Sequence, residues 1–201
     1  MNTGNVNIMA IRARILESVK QSIEDFKRDP FLFMSERDIQ AHLFCLLRQN
    51  VAHTIFFHSG KKAYKTSIIN TEYSHISPKW KDSIDIVCIH SNEASELINN
   101  STEKKLNEYL WSLPVLAGIE IKLIRFNENK GSQIGDKDKE KLERFKKEYN
   151  EIEDFFWLVL CFFQNKEKLA KLKSKEVFSN EIKFNQIYLI GEEKLYIPAA
   201  K

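Results

Sequence analysis

The residues best suited to chemistry sit in the least polar parts of the chain. In AGIEIKL, residues 117–123, strand side chains alternate between faces, so Glu120 and Lys122 share one face about 7 Å apart. Leu116, Gly118 and Ile124 fall on that face too, and Ile119, Ile121 and Leu123 on the other. A half-buried carboxylate or ammonium is costly unless it is paired or coordinated. A cross-strand ion pair at a sheet edge would meet that cost, and so would a metal ion. In SIDIVCI, residues 83–89, Asp85 shares its face with Val87 and Ile89. Aspartate is a poor strand former, so it calls for a lysine partner or a divalent cation. Asp82, just ahead of it, reads as a turn or solvent residue. Glu36 precedes Ile39, Leu43 and Leu47 by three, seven and eleven residues, which puts it at the N-terminal end of a buried helix stripe. A first-turn acid complementing the helix dipole is the other reading of Glu36.

Hard cations such as Mg²⁺ take oxygen ligands and keep several waters. Carboxylates on adjacent strands, with a main-chain carbonyl, supply such ligands. A bound metal polarises a phosphoryl oxygen and makes hydroxide from water, and a lysine beside it stabilises charge on the phosphate. The set suits phosphodiester hydrolysis.

Periodicity says which elements would position these groups. Residues 8–28 read as an amphipathic helix, with Ile11, Ile15, Val19 and Ile23 at four-residue steps, ended by Asp29-Pro30. A second helix starts at Ser35, whose spacing to Asp38 is that of a capping box, and it fades near Asn50. Residues 53–58 and 66–73 are strand-like around the turn Ser59-Gly60-Lys61-Lys62. Strands are expected over 84–90 and 115–124, with an interrupted helix over 93–112 between them. Residues 136–149 form a charged helix whose core face is Leu142, Phe145 and Tyr149. The run 155–163 is apolar on both faces and therefore central. A short basic helix over 165–174 and a hairpin of 186–190 with 194–197 would close a single α/β domain spanning 1–201.

Composition narrows the classes. The chain has 201 residues, 43% hydrophobic and 29% charged, with 6 Gly and 4 Pro, which excludes a disordered or collagen-like protein. Its net charge of +3 is too weak for a polybasic coat protein. Cys45, Cys88 and Cys161 lie far apart in apolar runs and read as buried small hydrophobes of a reducing compartment. The N-terminal residues lack the apolar core of a signal peptide. The longest apolar run, nine residues over 155–163, is short of the about 20 needed to span lipid. A soluble, cytoplasmic protein is expected. The histidines at 42, 53, 58, 75 and 90 form no HExxH, and GxxxxGK, GxGxxG and GxSxG are absent. Nucleotide-driven motors, dehydrogenases and serine hydrolases fit poorly.

The succession of a helix Glu in SERDIQAHLFCLL, an Asp in SIDIVCI and Glu-x-Lys in AGIEIKLI resembles the PD-(D/E)xK nuclease superfamily, the restriction-endonuclease-like fold. The resemblance covers about residues 35–163, with an N-terminal helical arm over 1–30 and a C-terminal helix and hairpin over 165–201 outside it. It implies a central mixed β-sheet flanked by helices, and an Mg²⁺- or Mn²⁺-dependent nuclease, endonucleolytic and acting on DNA before RNA. Asp85, Glu120 and the Ile121 carbonyl would hold the metal, Lys122 would be the catalytic lysine, and Glu36 would orient a water or a second metal. Asp138 and Lys141, on the following charged helix, would position groups or contact substrate. Ile84 stands where the family's name has proline.

Phosphate contacts are sought in Lys61, Lys62 and Lys65 around the glycine turn, and in Lys79-Trp80-Lys81. A solvated loop with an anchoring Trp80 is the competing reading. Two other functions stay open: a catalytically silent nuclease-fold subunit that binds nucleic acid or protein, and an RNA nuclease. After a core of this length, little chain remains for a separate recognition domain, so selectivity would come from loops, a homodimer or a partner subunit.

Overall fold

The computed structural model describes residues 7–51, 54–59, 62–74, 82–99, 113–125, 136–149, 153–164, 182–184 and 187–191. Helix α1 runs Ile8–Arg28 and buries Ile11, Ile15, Val19, Ile23 and Phe26. Asn7 caps it through a bond from the Ala10 N–H. Helix α2 runs Glu36–Asn50 with the expected capping box: Ser35 Oγ accepts from the Asp38 N–H, and Asp38 Oδ2 accepts from the Ser35 N–H. The two helices lie antiparallel. Asn50 donates to Ser18 Oγ at one end of their contact, and His42 Nε2 meets Asp25 Oδ2 at 2.9 Å near the other. Cys45 lies off the Ile39, Leu43 and Leu47 stripe and is exposed, whereas Cys88 and Cys161 are buried. The expectation of three buried cysteines is corrected at that position.

Strands β1 (Thr54–Ser59) and β2 (Lys62–Ser67) form an antiparallel pair of their own. Strand β3 (Ile69–Tyr73) begins the main sheet. The strand expected over 66–73 is thus divided between two sheets. Ser67 is the reason: its Oγ accepts from the Ile69 N–H at 3.2 Å and donates to the Ile69 carbonyl at 2.8 Å. Such local side-chain bonds replace ladder bonds and turn the chain.

The main sheet continues with β4 (Ile84–Ile89), β5 (Val115–Ile124), β6 (Phe156–Phe163), β7 (Ile182–Phe184) and β8 (Ile187–Gly191). Its six strands are ordered β3-β4-β5-β6-β8-β7. Among the described residues only β5 and β6 are parallel, so the sheet is mixed. Helix α3 (Ser91–Asn99) lies in the β4–β5 connection, and helix α4 (Asp136–Tyr149) in the β5–β6 crossover. The C-terminal pairing differs from expectation, because β8 takes the upstream segment Ile182–Phe184 as its hairpin partner. A three-residue strand carries too little alternation to be read in sequence. The stretches 100–112, 165–174 and 194–197 lie outside the described residues.

Helices cover both faces. On one, Phe26 of α1 packs against Phe162 at 4.8 Å, and Arg12 stacks over Phe156 at 4.7 Å. On the other, α4 buries Leu142 and Phe145. Gly118 allows that approach, since a Cβ there would meet Leu142 Cδ2 at 3.0 Å and the Phe155 ring at 3.5 Å. Among the described residues, no helix is long and apolar enough to cross a membrane.

Gly118→Val forces extra methyl groups between β5 and α4. We expect it to lower unfolding free energy by about 1–3 kcal/mol in denaturant titration, with Gly118→Ala milder. An unchanged midpoint for the valine variant would show that α4 does not pack this closely.

Candidate active site

Register gathers the acids. Ile86 pairs with Ile119 on β5, which brings Asp85 opposite Glu120. Thr71 and Tyr73 of β3 pair with Ile86 and Ile84, which brings Glu72 opposite Asp85. Three carboxylate residues therefore follow one another across β3, β4 and β5. The strand bearing Glu120 is flanked on both sides, and Glu120 is only 1% exposed. An ion pair at a sheet edge is ruled out for this residue.

The main chain and α4 answer the charges. Asp85 Oδ2 accepts from the Ile121 N–H at 2.7 Å, and Glu120 Oε1 accepts from the Asp85 N–H at 3.3 Å. In place of a cross-strand ion pair, two pairs run from β5 to α4. Lys141 Nζ lies 2.7 Å from Glu120 Oε1, and Lys122 Nζ lies 3.4 Å from Asp138 Oδ1. Asp138, Lys141, Leu142 and Phe145 follow at i, i+3, i+4 and i+7, so one helix stripe is ionic in its first half and apolar in its second. Packing of Leu142 and Phe145 thus delivers Asp138 and Lys141 to the strand.

Helix α2 closes the end of the sheet where β5 finishes and β4 begins. Glu36 Oε1 accepts from the Leu123 N–H at 3.2 Å. One turn later, Gln40 Nε2 donates to the Asp85 carbonyl at 2.7 Å and to Glu72 Oε1 at 3.1 Å. Ser83 Oγ donates to Glu72 Oε2. Glu72 has φ 51°, a left-handed conformation uncommon for a residue with a Cβ, held here by both partners. Gln40, Glu72 and Ser83 are additions to the residues singled out in sequence. Only Gln40 had a signal there, its i+4 spacing from Glu36.

Glu36, Asp85, Glu120, Lys122, Asp138 and Lys141 therefore converge. Asp82 pairs with Arg144 instead. Lys62 and Lys65 lie on β2, outside the main sheet, with side chains outside the described set; Lys61, Lys79, Trp80 and Lys81 lie outside the described residues altogether.

Burial, and then the charge of Asp85, push the Glu120 carboxyl up to about 8 against the pull of Lys141. Burial also raises Asp85, opposed by the Ile121 N–H, Lys122 and Lys141. For Lys122, burial pulls the ammonium down, but Asp138, Glu36, Asp85 and Glu120 together prevail and raise it. Lys122 is therefore a cation at neutral pH and not a proton acceptor.

Among the described residues, no three His, Cys, Asp or Glu groups gather as a ready-made metal cage. The site offers a smaller donor set: two carboxylates side by side, one nearly inaccessible to water and reluctant to ionise beside the other. That electrostatic demand fits a hard divalent cation held by one or two carboxylates and waters. No family model, curated protein or solved structure matches the chain.

The raised Glu120 pKa gives a stability signature. Its ordinary value is 4.5 and its folded value about 8, so the folded protein keeps a proton that the unfolded chain releases. The associated stability is full below the unfolded value and is lost as pH rises through the folded one. Without divalent ions, the wild-type melting temperature should fall from about pH 5.5 to about pH 8.5, and Glu120→Gln should fall less. Asp85 has the same sign and remains in the variant. Parallel melting curves for the two proteins would show that Glu120 ionises freely.

Proposed function

We propose that this chain is a divalent-metal-dependent phosphodiesterase that cleaves DNA, with a site and fold of the PD-(D/E)xK, restriction-endonuclease-like kind. The observation that supports it most is that Asp85, at the start of β4, stands beside Glu120, in the middle of the central strand β5, with Lys122 two residues on and Glu36 bonded to the next residue's N–H. A mixed sheet with helices on both faces agrees with what the resemblance implies.

In this reading Asp85 and Glu120, with the Ile121 carbonyl, hold Mg²⁺ or Mn²⁺. The cation, when bound, supplies polarisation of a phosphoryl oxygen and a more acidic water. Lys122, kept protonated by its acidic neighbours, neutralises charge developing on the phosphate. Asp138 holds that ammonium in place. Glu36 ties α2 to the end of β5, and Gln40 ties it to the Asp85 carbonyl, which fixes the two strands that carry the acids. Such preorganisation lets fixed charges act without reorganising during reaction.

The test is cleavage of plasmid DNA with Mg²⁺ or Mn²⁺, beside single-stranded DNA and RNA. Asp85→Ala, Glu120→Ala and Lys122→Ala should each reduce cleavage at least about 10²-fold, with circular dichroism verifying the fold. Calorimetric titration should show metal binding lost in Asp85→Ala. Full activity in Glu120→Ala or Lys122→Ala would overturn the site, and cleavage of RNA alone would change the substrate. Metal or nucleic-acid binding without cleavage would favour a silent subunit.

A further inference from the structure

We propose that Lys141 is the resident counter-cation of the Asp85–Glu120 pair, so that it sets how tightly a divalent ion is taken there and leaves Glu120 when one enters. The inference rests on the reading of these two acids as metal ligands. Lys141 Nζ lies 2.7 Å from Glu120 Oε1 and 2.7 Å from the Ser83 carbonyl oxygen. Ser83 comes just two residues before Asp85. The ammonium is thus held by one carboxylate and one main-chain carbonyl beside a second carboxylate, the oxygen types that a hard cation takes.

The other ammonium does not share this position. Lys122 is paired with Asp138, whereas the ammonium within ion-pair distance of Glu120 is that of Lys141. A divalent ion on the same carboxylate would stand at about 2.0–2.1 Å from its oxygen, within a few ångströms of a charge of its own sign. Repulsion at that range is strong in a half-buried site, so the two cations exclude each other.

The fold lets Lys141 leave. The helix is anchored to the core by Leu142, the next residue, and Phe145, one turn on, both buried. The side chain is 18% exposed, and its flexible four-carbon stem can carry the ammonium to solvent while the helix stays packed. Lys141 is a positioning residue in this account: it keeps Glu120 in place before the ion arrives.

Calorimetric titration of the full chain with MnCl₂ and MgCl₂ tests this. Lys141→Met should bind Mn²⁺ at least about tenfold tighter than wild type, equivalent to about 1.4 kcal/mol. Its metal-free melting temperature should be lower, and saturating Mn²⁺ should raise that temperature by more than in wild type. Should the methionine variant fail to fold, Lys141→Gln keeps a donor for Ser83 without the charge and takes its place. Unchanged or weaker Mn²⁺ binding in the Lys141 variant, with wild-type binding intact and lost in Asp85→Ala, overturns the inference and leaves the metal pair standing. No binding by wild type, the Lys141 variant or Asp85→Ala overturns the metal pair and the inference together.

Discussion

A carboxylate near the middle of a six-stranded sheet, shut away from water, has to be answered from within the fold. Glu120 is that group, and much of the architecture serves it. Burial favours its protonated form, and Asp85 on the next strand adds repulsion. The opposing force comes from Lys141 on α4, which reaches Glu120 because Gly118 lets Leu142 settle against the strand. A side chain on residue 118 would hold the helix off and lengthen the ion pair. Backbone packing and site electrostatics are therefore one problem here: the closeness of α4 decides how much charge β5 can carry.

The second helix solves the same problem from the strand ends. Glu36 and Gln40 do not balance Glu120 directly; they bond to the Leu123 N–H and the Asp85 carbonyl. These are main-chain groups at the ends of β5 and β4. Satisfying them ties the termini of the two acidic strands to a helix whose own start is fixed by Ser35 and Asp38. Helix capping, usually a local matter of about 1 kcal/mol, thereby acts on the placement of acids from distant parts of the chain.

Much of this was legible in sequence where the signal is local. The four-residue steps of α1, the Ser35–Asp38 spacing and the wholly apolar 155–163 run each depend on neighbours in the chain, and each was read correctly. Glu36, Asp85, Glu120 and Lys122 stood out because a charge among apolar neighbours is costly wherever the chain folds. What was not legible depends on register. Glu72 lies across from Asp85 only because β3 pairs with β4 in one alignment, and no local pattern carries that information. The partner of Glu120 was not legible for the same reason: alternation leaves Lys122 beside Glu120 rather than against it, while α4 folds Lys141 onto the oxygen. Ser67 divided an expected strand through two side-chain bonds that composition does not reveal.

The charge balance of the site also bears on how it could hold a phosphate. Glu36, Glu72, Asp85, Glu120 and Asp138 outnumber Lys122 and Lys141, although the whole chain carries a net +3. A phosphodiester approaching these groups alone meets an excess of its own sign, so the weak positive charge of the molecule says little about affinity at this point. In the proposed reading, a divalent ion on the carboxylates offsets two of the excess negative charges and weakens that repulsion. Metal and phosphate then favour each other's binding, and by linkage each strengthens the other equally. Lys141 enters this balance with the opposite effect: it supplies one positive charge when no ion is present, and so moderates the repulsion that a second charge would otherwise relieve. In the proposed reading, the site's preference for an ion is thus set by the difference between one ammonium, already at hand, and a doubly charged ion that must shed water to compete.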